Sequence, residues 1–230
     1  MIRISAIIAL SFISSLAFAQ SHQYSTEYFK VKKVIAREVT GNFSSAPLQV
    51  RSDCSGILQV SPVSAVDVQS LGEVINIGKT VWEIIQSGKP VTNSKFDSAN
   101  ALPAGVKCWT DLQGWSSPQY RTYNVQYKNG FDMTVVDFTY RIMYTTNGSV
   151  NGVGRYITNA TILPADLSVA WGFEFNVQAG VPAVTNIGTT QNPIAAMQMN
   201  LHWTLDSTVS HQESTQSYFV TGEGVFEALN

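Results

Sequence analysis

The run Cys108-Trp109-Thr110-Asp111-Leu112-Gln113-Gly114-Trp115-Ser116-Ser117-Pro118-Gln119-Tyr120 gathers two indoles and a phenol among a carboxylate, amides and hydroxyls. Aromatic faces stack on sugar rings, while carboxylates and amides bind sugar hydroxyls. Trp109, Asp111, Gln113, Trp115 and Tyr120 are therefore the candidate ligand-binding residues, and a glycan is the first ligand expected. The competing reading is that the rings roof a core beneath a long loop, where large aromatics usually bury most of their surface. At least one of the two tryptophans is expected to be buried.

Other reactive side chains are sparse. His202 and Asp206 lie four apart on an alternating stretch, hence on one face, but about 13 Å apart along a strand. They would need a neighbour such as Glu174 to build a site, and a solvated sheet face explains them without one. Gly72 to Thr80 could pass for a phosphate loop, but five residues separate its glycines where that motif has four. There is no G-x-S-x-G elbow, no paired H-x-H and no C-x-x-C. A glycosidase needs only two carboxylates, and no acidic pair stands out. No catalytic residue, metal ligand or cofactor is assigned.

The chain of 230 residues carries 14 basic and 16 acidic side chains, a net charge of -2, with 44% hydrophobic and 13% charged positions. That balance offers no electrostatic footprint for nucleic acid and no polybasic run for an anionic membrane. Met1-Ile2-Arg3 begins a positive start, residues 4–18 are mostly apolar, and Ala17-Phe18-Ala19 places small residues where a signal peptidase reads. Residues 1–19 are read as a secretory signal peptide and 20–230 as one β-rich domain, with no transmembrane segment after cleavage. In an exported chain, the two cysteines, Cys54 and Cys108, are expected to form one disulfide. Its long loop would contribute about 4 kcal/mol at most by chain entropy.

The positioning elements follow from periodicity. Tyr28–Val39 and the short run Ile57–Val63 read as strands. Leu71, Val74, Ile75, Val81, Trp82 and Ile85 recur at helical spacing, which predicts one amphipathic helix over about residues 66–87, ended by Gly88 and Pro90. From Tyr120 onward strand follows strand. Asn129-Gly130 is a hairpin signal between Tyr120–Lys128 and a long return strand, Phe131–Thr146, that should contain a bend or bulge. Asn147-Gly148 and Asn151-Gly152 punctuate before Val153–Leu163. Leu167 to Val177 and Met197 to Leu205 alternate cleanly, and Gln212–Thr221 is a last long strand.

The pattern predicts a mainly β fold: an antiparallel β-sandwich or strongly curved sheet with the helix packed on it. An outer-membrane barrel also alternates, but the interrupting helix and the non-aromatic final residues favour the sandwich. The functional expectation is an exported, non-catalytic binding or envelope-associated protein. A carrier of an apolar small molecule or lipid is the alternative, with Trp171, Phe173, Met199 and Trp203 lining its cavity. A hydrolase without a recognisable motif is the third.

Overall fold

The computed structural model describes residues 25–41, 71–91, 97–106 and 108–229. The expected strand Ile57–Val63, Cys54 and the first five residues of the expected helix lie outside them. After a single helical turn, α1 (Thr26–Phe29), the elements are β1 (Val31–Glu38), β2 (Val74–Asn76), β3 (Val81–Gln86), β4 (Lys89–Pro90) and β5 (Ala99–Pro103). A 3-10 turn at Trp109–Asp111 precedes β6 (Gln119–Asn129), β7 (Thr134–Val150), β8 (Val153–Val169) and β9 (Glu174–Asn186). The described chain closes with β10 (Ala195–Asp206), β11 (His211–Thr221) and β12 (Phe226–Leu229).

Two six-stranded antiparallel sheets result, ordered β1-β6-β7-β8-β5-β2 and β12-β11-β10-β9-β3-β4. This is the expected sandwich. Its core comes directly from period-two alternation. Met197, Met199, Leu201, Trp203 and Leu205 of β10 point inward, as do Phe175, Val177 and Ala179 of β9. They meet Phe138, Tyr140 and Ile142 of β7. Two hydrogen bonds tie the sheets through this core. Trp203 Nε1–H donates to the Tyr127 hydroxyl at 2.7 Å, and the Tyr140 and Tyr218 hydroxyls lie 2.6 Å apart.

The amphipathic helix is overturned. Residues 74–76 and 81–86 are strands, and they belong to different sheets. Helical spacing arose because β3 carries a bulge between Glu83 and Ile85, which buries Ile84 and Ile85 in succession. Gly78 lies between the two strands, where a Cβ would sit 2.5 Å from the Ser98 carbonyl oxygen. Gly88 does end an element, but as the second residue of a hairpin turn. Ser87 and Gly88 both have positive φ (47° and 72°), and Pro90 falls on the edge strand β4.

The remaining turn signals differ from expectation or refine it. The hairpin after β6 is not built on Asn129-Gly130 at positive φ. Its αL residue is Asp132 (φ 61°), closed by the Asp132 N–H donating to the Asn129 carbonyl and the Asn129 N–H to that of Met133. Gly130 serves close approach instead, since its Cβ would lie 2.7 Å from the Glu27 carbonyl oxygen. Leu167 to Val177 is two strands, because Gly172 (φ 83°) turns the chain between β8 and β9 and leaves Trp171 69% exposed at the tip. Asn147-Gly148 does not turn at all. It lies within β7, one of several irregularities by which that 17-residue strand bends, as its length implied. Asn151-Gly152, at φ 51° and 82°, is the paired-positive turn that joins β7 to β8.

Candidate functional site

The loop from Cys108 to Pro118 is strapped onto the end of β7. Gln113 exchanges backbone hydrogen bonds with Ser149, and the Ser116 N–H donates to the Thr146 carbonyl. Asn147 Nδ2 donates to the Ser116 hydroxyl at 2.6 Å. Trp109 and Trp115 are both half-buried against the core, and the Trp115 indole N–H donates to the Trp109 carbonyl at 3.1 Å. The Trp115 ring lies directly over Gly148. Asp111 is exposed, and its carboxylate accepts the Cys108 N–H at 3.1 Å. The Gln113 side chain is exposed. Tyr120, on β6, turns toward Arg141 instead, with the guanidinium 5.1 Å from its ring centroid. The five residues therefore divide between a strap and a strand. The rings pack downward and do not form a shared open platform.

The residues proposed to line an apolar cavity also separate. Met199 and Trp203 are fully packed in the core, Phe173 lies at its margin, and Trp171 is at a hairpin tip. His202 and Asp206 do share the outer face of the second sheet. Each finds its partner on β11: His202 approaches Thr215 (3.0 Å) and Glu213 (3.5 Å), and His211 approaches Asp206 (2.5 Å). Among the described residues no cluster of His, Cys, Asp and Glu has metal-holding geometry.

A concave site opens where the sheets part. β12 pairs only with Ser217 to Val220, so the first half of β11 and the edge strand β1 leave a cleft of about 390 Å³ between them. Arg37 and Glu38 of β1, Tyr123 of β6, Tyr140 of β7, and Thr215 and Gln216 of β11 line it. Glu38 stands opposite Tyr123 in the β1–β6 register. The Glu38 carboxylate accepts the Thr40 hydroxyl at 2.7 Å and pairs with Arg121 at 3.6 Å. Tyr123 is half-buried, stacks on Tyr140 with centroids 5.7 Å apart, and leans on Tyr218 at 5.3 Å. The register turns Glu38 and Tyr123 of the first sheet and Gln216 of the second toward it, while Arg37 shares the opposite face with Asn124 and the Thr215 hydroxyl is turned to His202. The cleft thus offers an aromatic ring beside a carboxylate and an amide.

Its phenols do not ionise near neutral pH. Burial, and then the Glu38 carboxylate, push Tyr123 up to about 12 against the opposing pull of Arg121. Burial pushes Tyr140 and Tyr218 higher still. All three hydroxyls therefore act as neutral hydrogen-bonding groups. A second concavity of about 270 Å³ on the outer face of the second sheet is lined by Glu83, Gln86, Asn176, Gln178, His202 and Thr204, with no phenol, phenyl or indole ring.

Sequence reasoning missed Tyr123, Glu38 and Gln216. The available signal was a tyrosine on the apolar face of β6, at the position where β1 supplies an acidic residue. Comparison with protein-family models, with characterised proteins and with solved structures returned no match.

Proposed function

We propose that the chain is an exported, non-catalytic binding protein that takes a small polar ring-bearing ligand, a mono- or disaccharide, in the cleft between β1 and β11. The observation that carries this reading is the Tyr123 ring set beside Glu38 and Gln216 in a cavity of about 390 Å³. That volume falls in the range of small-molecule sites, roughly 300–1,000 Å³. Stacking supplies affinity, and the surrounding polar groups pair with ring hydroxyls. Glu38 is the one carboxylate among the described lining residues, and it is held by Arg121 and Thr40. This favours binding over two-carboxylate hydrolysis. The mixed walls favour a polar ligand over a lipid. A pairing of Cys54 with Cys108 belongs to the same reading, and no described cysteine is free.

The test is a thermal-shift screen of purified protein across neutral mono- and disaccharides. A ligand at 100 times its dissociation constant should stabilise by about 2.7 kcal/mol. Gln216→Ala and Glu38→Gln should each remove that shift while leaving the ligand-free melting temperature nearly unchanged. Saturable binding indifferent to both variants would move the site elsewhere, and no binding across the panel would defeat the reading. Amino-terminal sequencing of secreted protein should begin at Gln20. Thiol titration of the unreduced, denatured chain should find none, and two free thiols would overturn the pairing.

A further inference from the structure

Arg141 of β7 is buried to 9% exposure on the opposite face of the first sheet from the tyrosine cleft, since its neighbours Tyr140 and Ile142 face the core. Its Nε–H is fully buried and has no acceptor. The guanidinium carbon lies 5.1 Å over the Tyr120 ring centroid, a contact with a ring face that supplies neither a counter-charge nor an acceptor for that N–H. Two further buried polar atoms without partners belong to the same face: the Thr122 hydroxyl, directly across from Arg141 on β6, and Oδ1 of Asn124, one rung further along that face. Asp137 is the acidic residue of β7 on this face. It lies four residues away, about 13 Å along the strand. Its oxygens already accept from Asn124 Nδ2 (2.6 Å) and Gln126 Nε2 (2.8 Å).

A guanidinium cannot shed its charge at any ordinary pH, so burial must be answered by a counter-charge. Water can satisfy an N–H, but it does not neutralise a cation. The free Nε–H is one of the two donors that grip a carboxylate side-on. The Thr122 hydroxyl can donate to the same group. Asn124 Oδ1 is an acceptor with nothing to accept from, and a bare oxyanion would only repel it. It requires a ligand donor next to the anionic group.

We propose that Arg141, Thr122 and Asn124 form a site for a carboxylate bearing an adjacent hydroxyl. In this arrangement Arg141 takes the carboxylate, Thr122 adds a hydrogen bond to it, and Asn124 accepts from the hydroxyl. A free 2-hydroxy acid and the uronate unit of an acidic glycan share that chemistry. Asn124 also borders the tyrosine cleft, but Arg141 and Thr122 do not line it and face the other way from Tyr123, so the site can fail or stand separately.

The experiment follows the Arg141 Nε–H resonance by NMR and the melting temperature while sodium glycolate, glucuronate, acetate or sulfate replaces chloride at constant ionic strength. The resonance is assigned by its loss in Arg141→Met. Glycolate is expected to shift it saturably at concentrations at least ten-fold below those needed for acetate or sulfate. A response to glucuronate matching that to glycolate points to a glycan end, and a response to glycolate alone to a small free acid; both support the site. Thr122→Val should weaken glycolate binding several-fold. Arg141→Met should lose every anion response and melt, in chloride, at or above the wild-type temperature, because an unpaired buried charge is gone. If that variant fails to fold, the wild-type resonance, assigned by sequential NMR, decides. No saturable shift with any anion would overturn the proposal, as would an equal response to sulfate and glycolate.

Discussion

Tyr140 of the first sheet and Tyr218 of the second bring their hydroxyls to 2.6 Å in a position where both residues are almost wholly buried. Each phenol is the other's hydrogen-bond partner, and the pair couples the two layers within the core, as the Trp203–Tyr127 hydrogen bond also does. Tyr140→Phe or Tyr218→Phe alone leaves one buried hydroxyl unsatisfied and should cost about 1–3 kcal/mol. The double variant removes both polar groups and should cost clearly less than the sum of the two singles. A double-mutant cycle by chemical denaturation measures this directly, and strict additivity would refute the coupling.

The tyrosines also set the alkaline limit of stability. Tyr123 is pushed up to about 12, chiefly by burial and then by Glu38. Tyr156 is pushed to about 12 by burial alone, while its hydroxyl donates to the Leu71 carbonyl at 2.9 Å. An unfolded tyrosine ionises near about 10. Between that value and about 12 the native state binds more protons than the unfolded state, so stability must fall as pH rises. Their contribution is complete below pH 10 and is lost progressively up to about 12. Denaturant midpoints across this window should decline, and the decline should be shallower in Tyr123→Phe.

His211 predicts a second, milder pH dependence. Its Nδ1 lies 2.5 Å from Asp206 Oδ1, and that hydrogen bond, then the carboxylate's charge, raises its pKa above the ordinary value near about 6.5. The raised value means the favourable contribution is fully present below the unfolded pKa and is lost as pH rises through the folded one. The ring is fully exposed, so solvent screens the pair. Proton NMR titration of the imidazole should show the raised midpoint, and Asp206→Asn should lower it. An unchanged midpoint in that variant would remove Asp206 as the cause.

The sandwich was legible in the chain wherever one face is buried and the other wet. β10 is the plainest case, since its five alternating apolar residues are the five that fill the core. The tract 71–86 was not legible as strands. Two short strands in different sheets, one carrying a bulge, mimic the three-to-four spacing of a helix when their apolar residues are read as one series. Turn chemistry misled for a related reason. Asn-Gly at 129–130 and 147–148 satisfies close packing against Glu27 and Trp115, which only tertiary contact reveals. The site was the least legible part. Tyr123, Glu38 and Gln216 converge from strands far apart in sequence, whereas the aromatic run at 109–120 was conspicuous because its residues are contiguous.

That run yields the last prediction. The Trp115 ring covers Gly148 so closely that a Cβ there would lie 2.2 Å from the ring. Gly148 has no positive φ to favour glycine, so steric contact alone is the constraint. Gly148→Ala must displace the indole, break its bond to the Trp109 carbonyl, and loosen the strap, at a cost of about 1–3 kcal/mol typical of overpacking. Trp115→Ala should cost about 2–3 kcal/mol, below the range of roughly 3–5 for a fully buried tryptophan, because its ring is half-exposed. Once the ring is gone, the alanine at 148 has nothing to strike. The double variant Trp115→Ala with Gly148→Ala should therefore be no less stable than Trp115→Ala alone. Thermal melts of the three variants read the outcome. A glycan platform would instead let Trp115→Ala abolish sugar binding with an unchanged melting temperature. A Gly148→Ala penalty that persists without the indole would place the constraint in the β7 backbone, not in the contact between these two residues.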